Sequence, residues 1–148
     1  RETVVDAYCG TGTIGLIAAK HAGRVLAVES NPEAVRDAIS NAKENRIGNI
    51  RFYRDDAGKF LQSCAADGIS VDVLLLDPPR AGSSEEFLTA AAELAPGRIV
   101  YVSCNPVTLE RDVAFLKKKG YRAQEVHPVD MFPWTGSIEA VALLSRIK

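Results

Sequence analysis

The sequence predicts an α/β fold of Rossmann-like type, a mostly parallel seven-stranded sheet closed by a C-terminal antiparallel hairpin. Three observations predict it. Short apolar runs alternate with segments of helical period, which requires right-handed crossovers between parallel strands. The first run delivers a glycine cluster, Gly10, Gly12 and Gly15, straight into a helical segment. The last two runs have no helix between them, so they pair antiparallel.

Thr3 to Ala7 is the first strand, and Thr13 to His21 a helix rich in small apolar residues. Val25 to Glu29 is the second strand. Asn31 and Pro32 then announce a helix as N-cap and first helical residue, with Val35, Ala38, Ile39 and Ala42 at helical spacing until Gly48. Ile50 to Tyr53 is the third strand, Ala57 to Cys64 a short helix and Val71 to Leu76 a wholly apolar fourth strand. Glu85 to Leu94 is helical and stops at Ala95-Pro96-Gly97. Ile99 to Val102 reads as a buried fifth strand, followed by a helix from Val107 to Lys119. Tyr121 to Pro128 and Ile138 to Ile147 form the closing hairpin around a Pro-containing loop.

At 148 residues the chain supports one domain, residues 1–148. Arg1-Glu2 run straight into a strand with no lead-in element, so the chain reads as a fragment whose N-terminal neighbour is absent. A hydrophobic share of 47% is ordinary for a soluble domain, and no apolar run approaches a membrane span. Three cysteines, Cys9, Cys64 and Cys104, make no disulfide framework and suit a reducing cytosol. They lack metal-ligand spacing, and with only His21 and His127 beside them no metal site is expected. A net charge of -1 supplies little attraction for phosphate.

Chemistry-bearing residues gather at strand ends, the rim where ligands bind in open α/β sheets. Gly10, Gly12 and Gly15 with Glu29 at the end of the second strand fit either a nicotinamide cofactor or S-adenosylmethionine. Asp6, Tyr8 and Cys9 favour the methyl donor, which has no pyrophosphate to cradle and tolerates acidic company around its cation. Asp55-Asp56 end the third strand near the expected adenine edge. Asp77-Pro78-Pro79-Arg80 end the fourth as a rigid shelf, because neither proline donates a hydrogen bond and each fixes φ. Cys104 ends the fifth strand among turn formers Ser103, Asn105 and Pro106, which lift it out of the core, and is the candidate nucleophile. Glu139, at the mouth of the hairpin, has Phe132 and Trp134 as neighbours, expected to shield it as a general base.

Four motifs occur in order: Asp6-Ala7-Tyr8-Cys9-Gly10-Thr11-Gly12, Asp77-Pro78-Pro79-Arg80-Ala81-Gly82, Tyr101 to Asp112, and Asp130-Met131-Phe132-Pro133 with Glu139. Together they resemble the RNA (uracil-5-)-methyltransferases, over essentially the whole chain, and only the C-terminal catalytic domain of that family. The resemblance implies the S-adenosylmethionine-dependent methyltransferase fold and a tRNA or 23S rRNA substrate, bound mainly by an absent N-terminal part. In the family that part carries an RNA-binding barrel, a donor-contacting glutamine and in some members an iron–sulfur cluster. The implied mechanism is covalent: Cys104 adds to carbon 6 of uracil, carbon 5 takes the methyl, and Glu139 removes the carbon 5 proton. Asp77 anchors base or donor, while Tyr8, Thr13, Glu29 and Asp56 line the donor pocket with Gly10 and Gly12. The target base must be flipped or single-stranded, which suits Phe132 and Trp134 as stacking surfaces. The chain departs from the family at Trp134-Thr135-Gly136-Ser137, where a histidine-bearing stretch is usual. Two other readings compete: a nicotinamide-dependent dehydrogenase domain, and an inactive fragment that binds the donor weakly and RNA hardly at all.

Overall fold

In the computed structural model, which describes residues 1–147, twelve elements alternate along the chain. They are β1 (Thr3–Ala7), α1 (Thr13–Ala19), β2 (Arg24–Glu29), α2 (Pro32–Glu44), β3 (Ile50–Arg54), α3 (Ala57–Ala66), β4 (Val73–Leu76), α4 (Glu85–Leu94), β5 (Arg98–Ser103), α5 (Pro106–Lys118), β6 (Tyr121–Val129) and β7 (Glu139–Arg146).

Four helices start where a side-chain oxygen takes up N–H groups the helix leaves unpaired. Asn31 accepts from the Glu33 and Ala34 amides at 2.9 and 3.4 Å, ahead of Pro32. Asp56, Ser84 and Asn105 do the same for α3, α4 and α5, accepting from Lys59, Phe87 and Val107. Helix α1 has no such cap; Gly12 stands there with φ +88°. A Cβ on Gly12 would lie 3.1 Å from the Phe52 ring, so only glycine makes this turn without strain.

The strands form one sheet in the order β3-β2-β1-β4-β5-β7-β6. Strands β1 to β5 are parallel, and β7 runs antiparallel between β5 and β6. The chain order reverses between β1 and β4, so the crevice lies above the carboxyl ends of those two strands. Helices α3, α4 and α5 bury one face of the sheet on a core that includes Leu61, Leu74, Ile99, Leu116 and Leu144. Each such side chain stabilises the fold by about 1.5–3 kcal/mol. On the other face α1 and α2 cover Val4, Val25, Ala27 and Ile50.

The boundaries differ from the sequence expectation in places with physical causes. Strand β4 starts at Val73 rather than Val71, because Asp72 is spent at the sheet entrance, where its Oδ2 accepts the Thr3 amide at 2.7 Å. Helix α1 stops two residues before His21, since the Lys20 and His21 amides tighten onto the Ile17 and Ala18 carbonyls. Helix α3 continues two residues beyond Cys64. The two closing strands do form a hairpin, but its second strand inserts beside β5.

Candidate active site

Register places the reactive candidates side by side. Ser103 on β5 faces Ala140 on β7 in the antiparallel ladder. That pair is the last of the ladder: Cys104 is the residue after it on one strand and Glu139 the residue before it on the other, the strands being about 5 Å apart. Leu76 on β4 pairs with Tyr101 on β5 and with Ala7 on β1, so Asp77 leaves the sheet at the level of Tyr8 and of Val102, two residues before Cys104. Burial raises the Asp77 carboxyl above its ordinary range, and the nearby Glu139 charge adds to the rise. Cys104, Glu139 and Asp77 therefore share one rim of the sheet.

Among the three thiols only Cys104 is partly exposed; Cys9 and Cys64 are buried. Burial, with the Asp6 and Glu29 charges, pushes the Cys9 thiol up to about 12, so it stays protonated and inert. Cys104 sits one residue before the Asn105 cap of α5, at the helix end whose dipole favours negative charge. The Ser103 hydroxyl fixes the turn, accepting the Asn105 amide at 3.0 Å and donating to the Asn105 carbonyl at 2.9 Å.

Of the cofactor candidates, Tyr8 and Asp56 line one cleft. Tyr8 takes φ +60° as it leaves β1 and packs on Phe87, ring centroids 5.1 Å apart. With Asp56, Gly58, Ser84 and Phe87 it walls a cleft of about 270 Å³. Asp56 commits one oxygen to capping α3. Glu29 accepts from the Gly10 amide at 3.0 Å and the Asn31 amide at 2.9 Å, tying the glycine loop to the end of β2. Thr13 opens α1 and lines a separate hollow with Leu16, Ile17 and Lys20. Beneath the loop lies Asp6, fully buried, its Oδ2 without a hydrogen-bond partner. Burial lifts its carboxyl to about 7, the Gly15 amide working against the rise and the Asp77 charge with it.

Of the two aromatic residues expected to shield Glu139, Trp134 does not do so. Phe132 is half exposed and Trp134 fully exposed, because their turn points the indole into solvent.

Sequence reasoning passed over a second set of residues that holds this rim together. Asp112 on α5 is wholly buried and accepts from the Tyr101 hydroxyl at 2.6 Å, the Ser83 amide at 2.8 Å and the Arg111 Nε at 2.9 Å. Arg111 also donates to the Ala81 and Ser83 carbonyls, both at 3.1 Å. Asn105 and Thr108 donate to the Arg80 carbonyl. The Asp77-Pro78-Pro79-Arg80 loop is thus laced to the helix that follows Cys104. Gly82 belongs to this lacing: at φ +77°, a Cβ there would lie 2.6 Å from Arg111 Nη2. An adjacent Arg-Asp pair inside an amphipathic helix was the available signal.

Among the described residues no group of His, Cys, Asp and Glu side chains is placed to hold a metal ion, and no helix is long and apolar enough to cross a membrane.

Residues 1–147 match the family described as tRNA (Uracil-5-)-methyltransferase. An uncharacterized RNA methyltransferase of Halalkalibacterium halodurans is 50% identical over 143 residues, 97% of this chain and 31% of that protein. Another, from Caldanaerobacter subterraneus subsp. tengcongensis, is 46% identical over 147 residues, 99% of this chain and 32% of that one. The crystal structure of the Pyrococcus abyssi tRNA (uracil-54, C5)-methyltransferase in complex with S-adenosyl-L-homocysteine superposes with a TM-score of 0.83 at 35% identity, covering 97% of this chain and 34% of that one. The chain spans about a third of the length of these relatives.

Proposed function

Since the chain belongs to the tRNA (uracil-5-)-methyltransferase family, we propose that it is the catalytic domain of a longer enzyme that methylates carbon 5 of a uridine in tRNA or rRNA. S-adenosylmethionine is the donor, and the cytoplasm, where RNA and unpaired thiols coexist, is the site of action. The observation that supports this reading is that Cys104, Glu139 and Asp77 all adjoin strand ends on one rim, with the Glu139 charge felt at Asp77.

The residues present fit such a donor. It carries a sulfonium cation, and the loop that would receive it gathers Asp6, Glu29, Asp56 and Asp77. Asp6 and Asp77 are held above their ordinary range by burial and by like charges, a tension that a cation relieves. Asp56 would meet the adenine edge and Glu29 the ribose hydroxyls, with Tyr8 beside them. When bound, the donor supplies an electrophilic methyl group.

The chain's own residues do the rest. The Cys104 thiolate attacks carbon 6 of the uracil, breaking the 5,6 double bond and placing its electron pair on carbon 5. That carbanion is the nucleophile that accepts the methyl. The Glu139 carboxylate then takes the carbon 5 proton; the released electron pair rebuilds the double bond and expels Cys104 as thiolate. A base so placed contributes about a hundredfold to ten-thousandfold. Asp77, on its proline shelf, orients the base or the donor. The nicotinamide alternative leaves Cys104, Glu139 and the proline shelf without a task.

The test is mass spectrometry of the protein incubated with 5-fluorouridine RNA and S-adenosylmethionine. Fluorine at carbon 5 leaves no proton to remove, so an adduct accumulates on the wild type and is absent from Cys104→Ala. With ordinary uridine RNA, Glu139→Gln accumulates the methylated adduct that the wild type resolves. No adduct in either case, with donor binding intact, overturns the reading.

A further inference from the structure

One solvent-facing group near the rim has no part in that chemistry. Trp134, the single tryptophan of the chain, is fully exposed. It occupies the third position of a turn closed by the Thr135 amide on the Phe132 carbonyl at 3.2 Å. Pro133 stands second, and Trp134 takes φ +69°. Proline followed by a positive φ is the type II pattern, whose third position favours glycine. A bulky side chain there is strained, and this one regains nothing by packing. The Thr135 hydroxyl braces the same carbonyl at 2.7 Å, so the turn is held rather than loose.

The location is as informative as the strain. The loop runs between Val129 and Glu139, which pair across the hairpin. Of its nine residues only Asp130 is charged, and Met131 and Phe132 are half exposed beside Trp134. Such a surface recognises flat, apolar faces rather than phosphates. Extracting a uridine from its stack leaves the neighbouring base without a partner, and an indole restores what was lost.

We propose that Trp134 is a stacking platform for an unpaired RNA base flanking the target uridine, and that its strained turn is retained to present the indole. The inference rests on the uracil-5 reading above for its choice of ligand. Stacking is tolerant of base identity, so Trp134 sets affinity for single-stranded RNA more than sequence preference.

The test titrates the protein with a single-stranded, uridine-containing oligonucleotide and follows the fluorescence of this one tryptophan. Binding quenches it. Trp134→Gly weakens RNA binding about five- to hundredfold, the range that one stacked base contributes, and Trp134→Phe weakens it less. S-adenosylhomocysteine affinity does not change. The same glycine variant melts no lower than the wild type and up to about 4 °C higher, because the turn strain is gone. Opposite signs for stability and RNA affinity are a signature that a structural role does not give. Unquenched fluorescence at saturating RNA, or wild-type RNA affinity in Trp134→Gly, overturns the proposal. So does loss of self-association in that variant with RNA binding untouched, which would make the indole a contact between copies. If the oligonucleotide quenches Trp134 but 5-fluorouridine RNA forms no adduct, the platform stands and the uracil-5 reading falls.

Discussion

Asp6 shows how one residue sets a pH response. Its carboxyl stands at about 7 in the folded protein against 3.8 when free, chiefly through burial. Folding therefore favours its protonated form. The benefit is complete below pH 3.8 and is lost as pH rises through about 7, where the buried group must ionise. Asp6→Asn cannot ionise, so its stability relative to the wild type should grow across that window, by up to about 4 kcal/mol. Urea unfolding of both proteins at pH 4, 5.5 and 7.5 measures the difference; a constant difference would refute it. At this scale the sequence was partly legible. Turn formers around Cys104 announced that it leaves the core, and the rigid shelf marked Asp77. The indole of Trp134 was read as cover for Glu139 because nothing in a linear pattern tells that a tryptophan will occupy a left-handed position.

At the scale of elements, helix starts were the most readable feature, since Asn31, Ser84 and Asn105 announce themselves by residue type and by the proline or acidic residues that follow. Helix ends were less so, because they depend on which carbonyl the last amides find. The lacing between α5 and the post-β4 loop left only the adjacent Arg111-Asp112 pair as a signal, which names no partner. Its partners lie up to 30 residues apart, and only the fold shows that Asp112 turns inward. Removing that carboxylate leaves the Tyr101 hydroxyl and the Ser83 amide without an acceptor and part of the Arg111 charge uncompensated. Asp112→Ala should cost about 3–5 kcal/mol, read as a lower urea midpoint with an unchanged slope. Tyr101→Phe, which deletes one hydrogen bond and keeps the ring, should cost about 1–2 kcal/mol. Equal losses from the two would mean that the single Tyr101–Asp112 hydrogen bond, rather than the wider lacing, is what matters.

For the molecule as a whole, the alternation of strands and helices made the parallel sheet readable, and the missing final helix made the hairpin readable. The insertion of β7 between β5 and β6 was not, because both strands satisfy the same local pattern whichever lies inside. Charge is also a property of this scale. With a net charge of -1, the chain has little general attraction for a polyanion. Binding of single-stranded RNA should show a slope of log affinity against log salt no steeper than about -2, equivalent to about three phosphates neutralised. A fluorescence titration from 50 to 300 mM KCl tests it, and a much steeper slope would point to a phosphate track that the surface charges do not suggest.

The inserted strand has one more consequence. The thiol follows a strand of the parallel part of the sheet, whereas the Glu139 carboxylate arrives on the terminal hairpin, held by its ladder to β5 and by the burial of Ala140, Ala142 and Leu144. On the mechanism proposed above, a hairpin that peeled outward would leave the donor crevice and the nucleophile in place and disable only the final release. Such a molecule would capture a uridine and fail to let it go, so on that mechanism the grip of β7 on β5 would guard against permanent attachment to the product.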